Sequence, residues 1–268
     1  MTQPIHLPHM HHPQVIAMGM QPMGPTWLEP NHNPRAMRAH KSERRATLGD
    51  AVYALTPEGE SGAAELAHKV FDCMQLDTQP LRDCSPSEVL WQASLQVHED
   101  LVVMAPVAGV YTLVAASLCS PSHWRLPDKI GRPMARIHDP IPTIHQTLTP
   151  KIDRIFERLT VNTPVERYNW AVQEDDALFC WPVHHAAPLP ADTPLFYRVE
   201  RQTLTRLPDS GALAFTIRVH IHPLESLAAV PDALPTLLAA IDANPAVVQR
   251  YKNFPVIESA LAKYRAMT

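Results

Sequence analysis

Glycine is scarce in this chain of 268 residues: there are 8, against 28 prolines. That balance excludes long flexible linkers and favours stiff, ordered connections. Cysteine is equally sparse. Cys73, Cys84, Cys119 and Cys180 stand far apart and form no C-x-x-C pair, so a zinc ribbon and a thioredoxin-type redox motif lack their signatures. Free thiols in a reducing cytoplasm are the expectation. Charged residues make up only 19% and the net charge is −4. No basic surplus is present to hold nucleic acid or an anionic membrane. No apolar run approaches 18 residues, which excludes a membrane-spanning helix from the expected structure. The N-terminus lacks the charged and apolar regions of a secretory signal, and a cytoplasmic location follows as the expectation.

What is present is enough hydrophobic sequence, 46%, for a core. A chain of this length buries roughly 70–75% of its unfolded surface. Residues 1–34 read as an extended arm carrying His6, His9, His11, His12 and His32 among prolines and methionines. A histidine-rich tract can bind metals, but these residues have no helical ligand spacing, and a poorly ordered arm lying over the surface is expected. Residues 35–268 read as a single domain. Helices are predicted over Lys41–Leu55 and Gly62–Met74. Ser85-Pro86-Ser87-Glu88 reads as a capping box opening a helix to about Val97. Leu101–Met104 and Val110–Leu118 are short β-rich runs on either side of Gly109, a hairpin pattern.

The next stretch, Ser120–Pro150, holds prolines at 121, 127, 133, 140, 142 and 150 and cannot be one regular element. A loop of that length in a compact domain is usually functional. Beyond Pro150, Ile152, Ile155, Phe156 and Leu159 form one apolar helical stripe. Strands follow over Tyr168–Gln173, Leu195–Leu207 and Ala212–His222, the last two separated by the turn signal Pro208-Asp209-Ser210-Gly211. From Leu224 the pattern is helical, broken at Asn244-Pro245, with a last turn or two over Ile257–Tyr264. The expected class is α+β: an antiparallel sheet with a helical crossover, flanked by N- and C-terminal helices.

In the Ala212–His222 strand, Leu213, Phe215, Ile217, Val219 and Ile221 alternate with Ala214, Thr216, Arg218, His220 and His222, so one face must be buried. A four-residue turn would pair Leu207 with Ala212 and set Arg201 opposite Arg218, an unfavourable like-charge pair. A bulge or a five-residue turn reverses the parity and puts Glu200 and Gln202 on one face with Thr216 and Arg218. That register is the expected one. It makes a polar face that is either a wet outer side or a pocket wall with Glu200 and Arg218 paired, where a carboxylate could meet a cationic substrate.

The proline-rich crossover carries His123, Trp124, Arg125, Lys129, Arg132, Arg136, His138 and His145. Prolines near His138 fix its direction, which suits an axial metal ligand. The arginines and Lys129 could bind carboxylates or phosphates. Spacing alone is no metal signature, and shows only a rigid polar loop.

Several blocks in one order resemble a known family. They are Cys119-Ser120-Pro121-Ser122-His123-Trp124, Lys129-Ile130-Gly131-Arg132-Pro133, Ile137-His138-Asp139-Pro140-Ile141-Pro142, Arg167-Tyr168-Asn169-Trp170, Glu200-Arg201-Gln202-Thr203-Leu204 with Arg206-Leu207-Pro208, and Ser210-Gly211-Ala212 with Phe215-Thr216-Ile217-Arg218. Together they cover about residues 85 to 225 and look like the haem-dependent oxidative N-demethylase alpha-subunit-like family. The resemblance implies a PAS-like haem domain with haem b. It implies oxidation of a secondary methylamine such as dimethylamine by O2, with electrons from separate flavin and iron–sulfur subunits. The chain has no dinucleotide-binding fingerprint and no cluster-type cysteine set, so such partners are required. By the same resemblance His138 is the expected iron ligand, with His123 and His145 in reserve. Trp124, Arg125 and Arg132 are the other expected cofactor contacts, Glu200 the amine-facing carboxylate, and Arg218 its partner. A haem-binding sensor without turnover is the alternative.

Overall fold

The computed structural model describes residues 5–15, 19–137, 149–181 and 187–267. In chain order its elements are β1 (Gln21–Pro22), α1 (Pro34–Leu48), β2 (Tyr53–Leu55), α2 (Glu60–Cys73), α3 (Gln79–Asp83), α4 (Val89–Ser94), β3 (Asp100–Val107), β4 (Val110–Ser117), α5 (Met134–Ile137), α6 (Thr149–Arg158), β5 (Val165–Gln173), β6 (Phe196–Arg206), β7 (Leu213–Pro223), α7 (Ala233–Ala243), α8 (Ala246–Tyr251) and α9 (Phe254–Arg265). The strands form one antiparallel sheet in the order β1-β5-β6-β7-β3-β4-β2. The expected α+β class with an antiparallel sheet is therefore observed.

Local chemistry sets the element ends. The Asn33 side chain accepts from the Ala36 N–H at 3.1 Å and Pro34 occupies the first turn, a strong helix start. That helix stops at Gly49, which has a φ of 53°, so the predicted Lys41–Leu55 helix is cut short and its last residues become β2. Ser85 makes no side-chain cap. The Glu88 carboxylate needed for the box is instead held by Arg45, with Nη2 at 2.6 Å, and the Arg45 guanidinium lies 4.4 Å and 4.5 Å from the ring centres of Tyr53 and Trp91. The β3–β4 turn uses Ala108 and Gly109 at φ 50° and 81°, the backbone that tight two-residue hairpins require.

Each sheet face is buried. On the front, Val102, Met104, Leu113, Leu204 and Leu213 pack with Phe215, Ile217, Leu126, Ile137 and Phe156. On the back, one core joins Leu101, Val103 and Ala214 to α2 and α4. There α2 sits so close that a Cβ on Gly62 would lie 2.8 Å from Val103 Cγ1. A second back core joins Trp170, Val172, Tyr197 and Val199 to α7 and α9.

The β6–β7 register differs from the expected one. Pro208–Gly211 is a four-residue turn: the Leu207 N–H donates to Ala212 O at 2.8 Å, and Arg201 does stand opposite Arg218. Glu200 is opposite Val219, so Glu200 and Arg218 lie on opposite faces and form no pair. The like charges are tolerated because carboxylates from elsewhere separate them. Arg201 Nη2 donates to Glu166 of β5 at 2.7 Å and its Nη1 to Trp27 O at 2.9 Å. Arg218 Nη2 donates to Pro30 O at 3.2 Å, and its guanidinium lies 3.8 Å from Glu29 and 3.9 Å from Glu99.

Those partners bring a second difference. The described residues of the arm are not loose. His9 is fully buried, with Nδ1 2.6 Å from the Tyr197 hydroxyl and Nε2 3.0 Å from Ala233 O. The carbonyl must accept from Nε2–H, which leaves Nδ1 to accept from the tyrosine. Trp27 and Leu28 are buried, and β1 adds to the free edge of β5.

Candidate functional site

Period-two alternation aims one set of strand residues at a cavity of about 260 Å³ on the front of the sheet. Arg167 and Asn169 of β5, Glu200, Gln202 and Leu204 of β6, Phe215 and Ile217 of β7, Val102 and Met104 of β3 and Leu113 of β4 form its floor. The walls come from Ser120, Pro121, Ser122 and Trp124 of the crossover, Ile137, and Ile152 and Phe156 of α6. Tyr251 and Lys252, where α8 meets α9, close one end together with Val15 and Met20 of the arm. The cavity is thus apolar over β3, β4, β7 and α6, and charged over β5, β6 and Lys252.

The charged end centres on Glu200, which is buried. Its Oε1 accepts from Arg198 Nε at 3.1 Å, and Oε2 accepts from Gln202 Nε2 at 3.0 Å and, more weakly, from Asn169 Nδ2 at 3.5 Å. Burial acts to raise its carboxyl pKa, but the Arg198 and Lys252 charges and the hydrogen bonds outweigh it and hold Glu200 below the usual carboxylate range. It is an anion at neutral pH. Burial pulls the Lys252 ammonium down to about 8, against the attraction of Glu200 and with the help of Arg167 and Arg198. Burial likewise lowers Arg167, and its Nε finds no hydrogen-bond partner.

The crossover wall is held by side chains that satisfy its main chain. Asp100 accepts from the Cys119 and Ser120 N–H groups at 2.9 and 2.8 Å. Arg198, itself buried, donates to Ser120 O at 2.5 Å and Leu178 O at 3.0 Å while it holds Glu200. The His123 N–H donates to Cys180 O, and the Cys180 N–H to Pro121 O, both at 2.9 Å. Lys129 Nζ donates to Ile137 O at 2.6 Å. All four cysteines are free thiols.

Of the residues expected from sequence, Glu200 and Trp124 reach the cavity. His123 is exposed, at a φ of 54°, and does not line it. Arg125 is exposed and lies 5.1 Å from the centre of the Trp181 ring. Arg132 is exposed, and its carbonyl accepts from the Leu113 N–H. Arg218 is on the back face. His138 and His145 lie outside the described residues, and among the described residues no histidine lines the cavity. Sequence reasoning missed Arg167, Asn169, Arg198 and Lys252. The first two share the parity of Glu200 across the β5–β6 ladder, Asn169 directly opposite it, a signal readable only once the register is known. Lys252 arrives from the C-terminal helices without any motif.

The arrangement can seat a mainly apolar molecule with an anionic edge, and present a fixed carboxylate to a small cation beside it. Over residues 51–262 the chain matches the family model described as haem-dependent oxidative N-demethylase, alpha subunit-like. The match takes in every strand of the sheet except β1, and the chain belongs to that family.

Proposed function

We propose, from that membership, that this chain carries out haem-dependent oxidative N-demethylation of a small secondary amine of the dimethylamine kind. It would use O2 and electrons from a separate flavin and iron–sulfur reductase. The alpha-subunit-like description supports the need for a partner subunit. The strand order supports a PAS-like domain: a first hairpin, β3–β4, then a helical crossover and a three-strand meander, β5–β7, that returns to pair β7 with β3. Among the described residues no helix is long and apolar enough to cross a membrane. The free thiols suit the cytoplasm in which we place the protein.

The cavity fits a haem b in chemical character. Its apolar walls suit the macrocycle, and Arg167, whose buried Nε lacks a partner, and Lys252 suit the propionates. Bound haem would supply O2 activation at iron. His138 remains our choice of the residue that would hold the iron. It directly follows Ile137, which lines the cavity, and His145 precedes Ile152, which also does; His123 is exposed and less suited.

The observation that carries the reading is the buried, anionic Glu200 facing a cavity that is apolar over β3, β4, β7 and α6. A secondary amine is a cation at neutral pH, and Glu200 can accept its N–H and hold the methyl group toward the apolar side. Arg198 and Gln202 fix the carboxylate, so little reorganisation is needed. The side chains of Phe215, Ile217 and Phe156 keep water away. In the balanced reaction dimethylamine, O2, two electrons and two protons give methylamine, formaldehyde and water. One oxygen atom goes to formaldehyde and the other to water.

An absorption spectrum of the purified protein, oxidised and reduced, followed by amine-dependent O2 uptake with a reductase, tests this. A Soret band with one formaldehyde formed per O2 is expected. A protein that stays colourless after haem reconstitution overturns the proposal. A Soret band indifferent to amine, without turnover, replaces the enzyme by a haem-binding sensor.

A further inference from the structure

On the back of the sheet, remote from the cavity in function, three side chains converge that the demethylase reading does not use. His6 and Glu29 come from the arm and His220 from β7. Their ligand atoms all lie within 4.8 Å of one another. His6 Nε2 is 3.7 Å from Glu29 Oε1, and His220 Nε2 is 3.0 Å from Glu29 Oε2. A tetrahedral zinc ion separates its ligand atoms by ~3.3 Å, so each of these distances closes onto one ion with small side-chain movements. His220 is only 1% exposed, and neither of its ring nitrogens makes a hydrogen bond of normal geometry; His6 Nε2 is also buried without one. A buried imidazole and a second buried ring nitrogen left in that condition are costly unless something else satisfies them.

We infer that His6, Glu29 and His220 form a site for a divalent transition ion of the zinc class, which fastens the arm to the sheet. Two imidazoles and a carboxylate are a usual donor set for zinc, with a fourth position left for water. Arg201 and Arg218 lie 3.6 and 3.8 Å from Glu29, and alone they would repel a cation. Glu166, at 2.7 Å from Arg201, and Glu99, at 3.9 Å from Arg218, offset them.

The placement gives the ion a structural task. His6 and Glu29 bracket the stretch of arm that contributes Val15 and Met20 to the front cavity and β1 to the β5 edge. Fixing both ends of that stretch on the back face closes a clasp around the edge of the sheet. A metal there sets the position of two cavity residues without touching the substrate.

The test uses the full-length protein, stripped with a chelator, supplied with Zn2+ and passed through gel filtration. Zinc is measured by elemental analysis separately from haem iron, so failure of this site is distinguishable from failure of the haem assignment. Wild type should keep about one zinc per chain and gain thermal stability from it. His6→Ala and His220→Gln should each lose the zinc, with affinity down by more than about tenfold, the loss that even outer contacts of a metal site cause. His11→Ala/His12→Ala, which removes two exposed arm histidines, should keep it. The site is refuted if wild type retains no zinc, or if His6→Ala retains as much as wild type. His6 lies on the arm and not in the sheet, so that variant decides the matter even if His220→Gln does not fold.

Discussion

Glu200 and Arg201 are neighbours on one strand and meet opposite fates. On the front, Glu200 shares its end of the cavity with Arg167 and Lys252, and these charges look onto open volume. On the back, Arg201 donates from every nitrogen, to Glu166 and to two arm carbonyls, and Arg218 sits between Glu29 and Glu99. The arm seals that side. The lesson is that buried charge alone does not mark a site. Where carboxylates and carbonyls answer every nitrogen, as at Arg201, it locks pieces together; where Arg167 Nε stays unmatched beside the cavity, it awaits a guest.

The contrast can be broken from the back first. Arg201→Leu leaves Glu166 buried without its partner and should cost about 3–5 kcal/mol, read as a lower midpoint in urea denaturation. Cofactor absorption of the surviving folded protein should stay unchanged. The front should lose function as well as stability. Glu200→Gln keeps the shape but leaves the buried Arg198 without its anion, so the urea midpoint should fall here too. The substitution also removes a charge-assisted contact to the amine worth about 2 kcal/mol, so kcat/KM for dimethylamine should fall ~30-fold with cofactor still bound. Full activity in that variant would remove Glu200 from the reaction.

The smallest effect sharpens the comparison by pH. Lys252 is charged below about 8 and neutral above it, and in its charged form it competes with a cationic amine for Glu200. Amine affinity should therefore rise as pH rises through 8, by up to about tenfold, while the amine itself is still protonated. Lys252→Met should bind tightly at pH 7 and lose the transition. The same lowered pKa makes the charged lysine a cost to the fold below 8. Stability from this group grows between about 8 and the usual lysine value, where only the unfolded chain remains protonated.

Strand positions were legible wherever side chains alternate or turns are spelled out. The Gly109 hairpin, the Pro208–Gly211 turn, and the unbroken alternation from Leu213 to Ile221 all correspond to observed elements. The register was not legible, because the carboxylates that permit Arg201 opposite Arg218 come from Glu29, Glu99 and Glu166, up to 189 positions away from Arg218 along the chain. Judged as an isolated pair, the two arginines repel; judged with their surroundings, they do not. Glu200 and Trp124, both named from the sequence, line the cavity. Arg125 and Arg132 stand exposed outside it, and a cation in a loop gives no sign of which way it points. Lys252 carries no local signal at all, since only the placement of the junction between α8 and α9 brings it to the cavity.

The clasp has a consequence for synthesis. Residue 9 leaves the ribosome long before residue 233, to which it bonds across 224 positions, and Glu29 waits as long for β7. Until residues 52–119 follow, Trp27 and Leu28 lack most of the core they pack into, and the nascent arm offers an apolar tail suited to a chaperone. Folding of this chain should thus finish at its beginning, and the open rim of the cavity is shaped last.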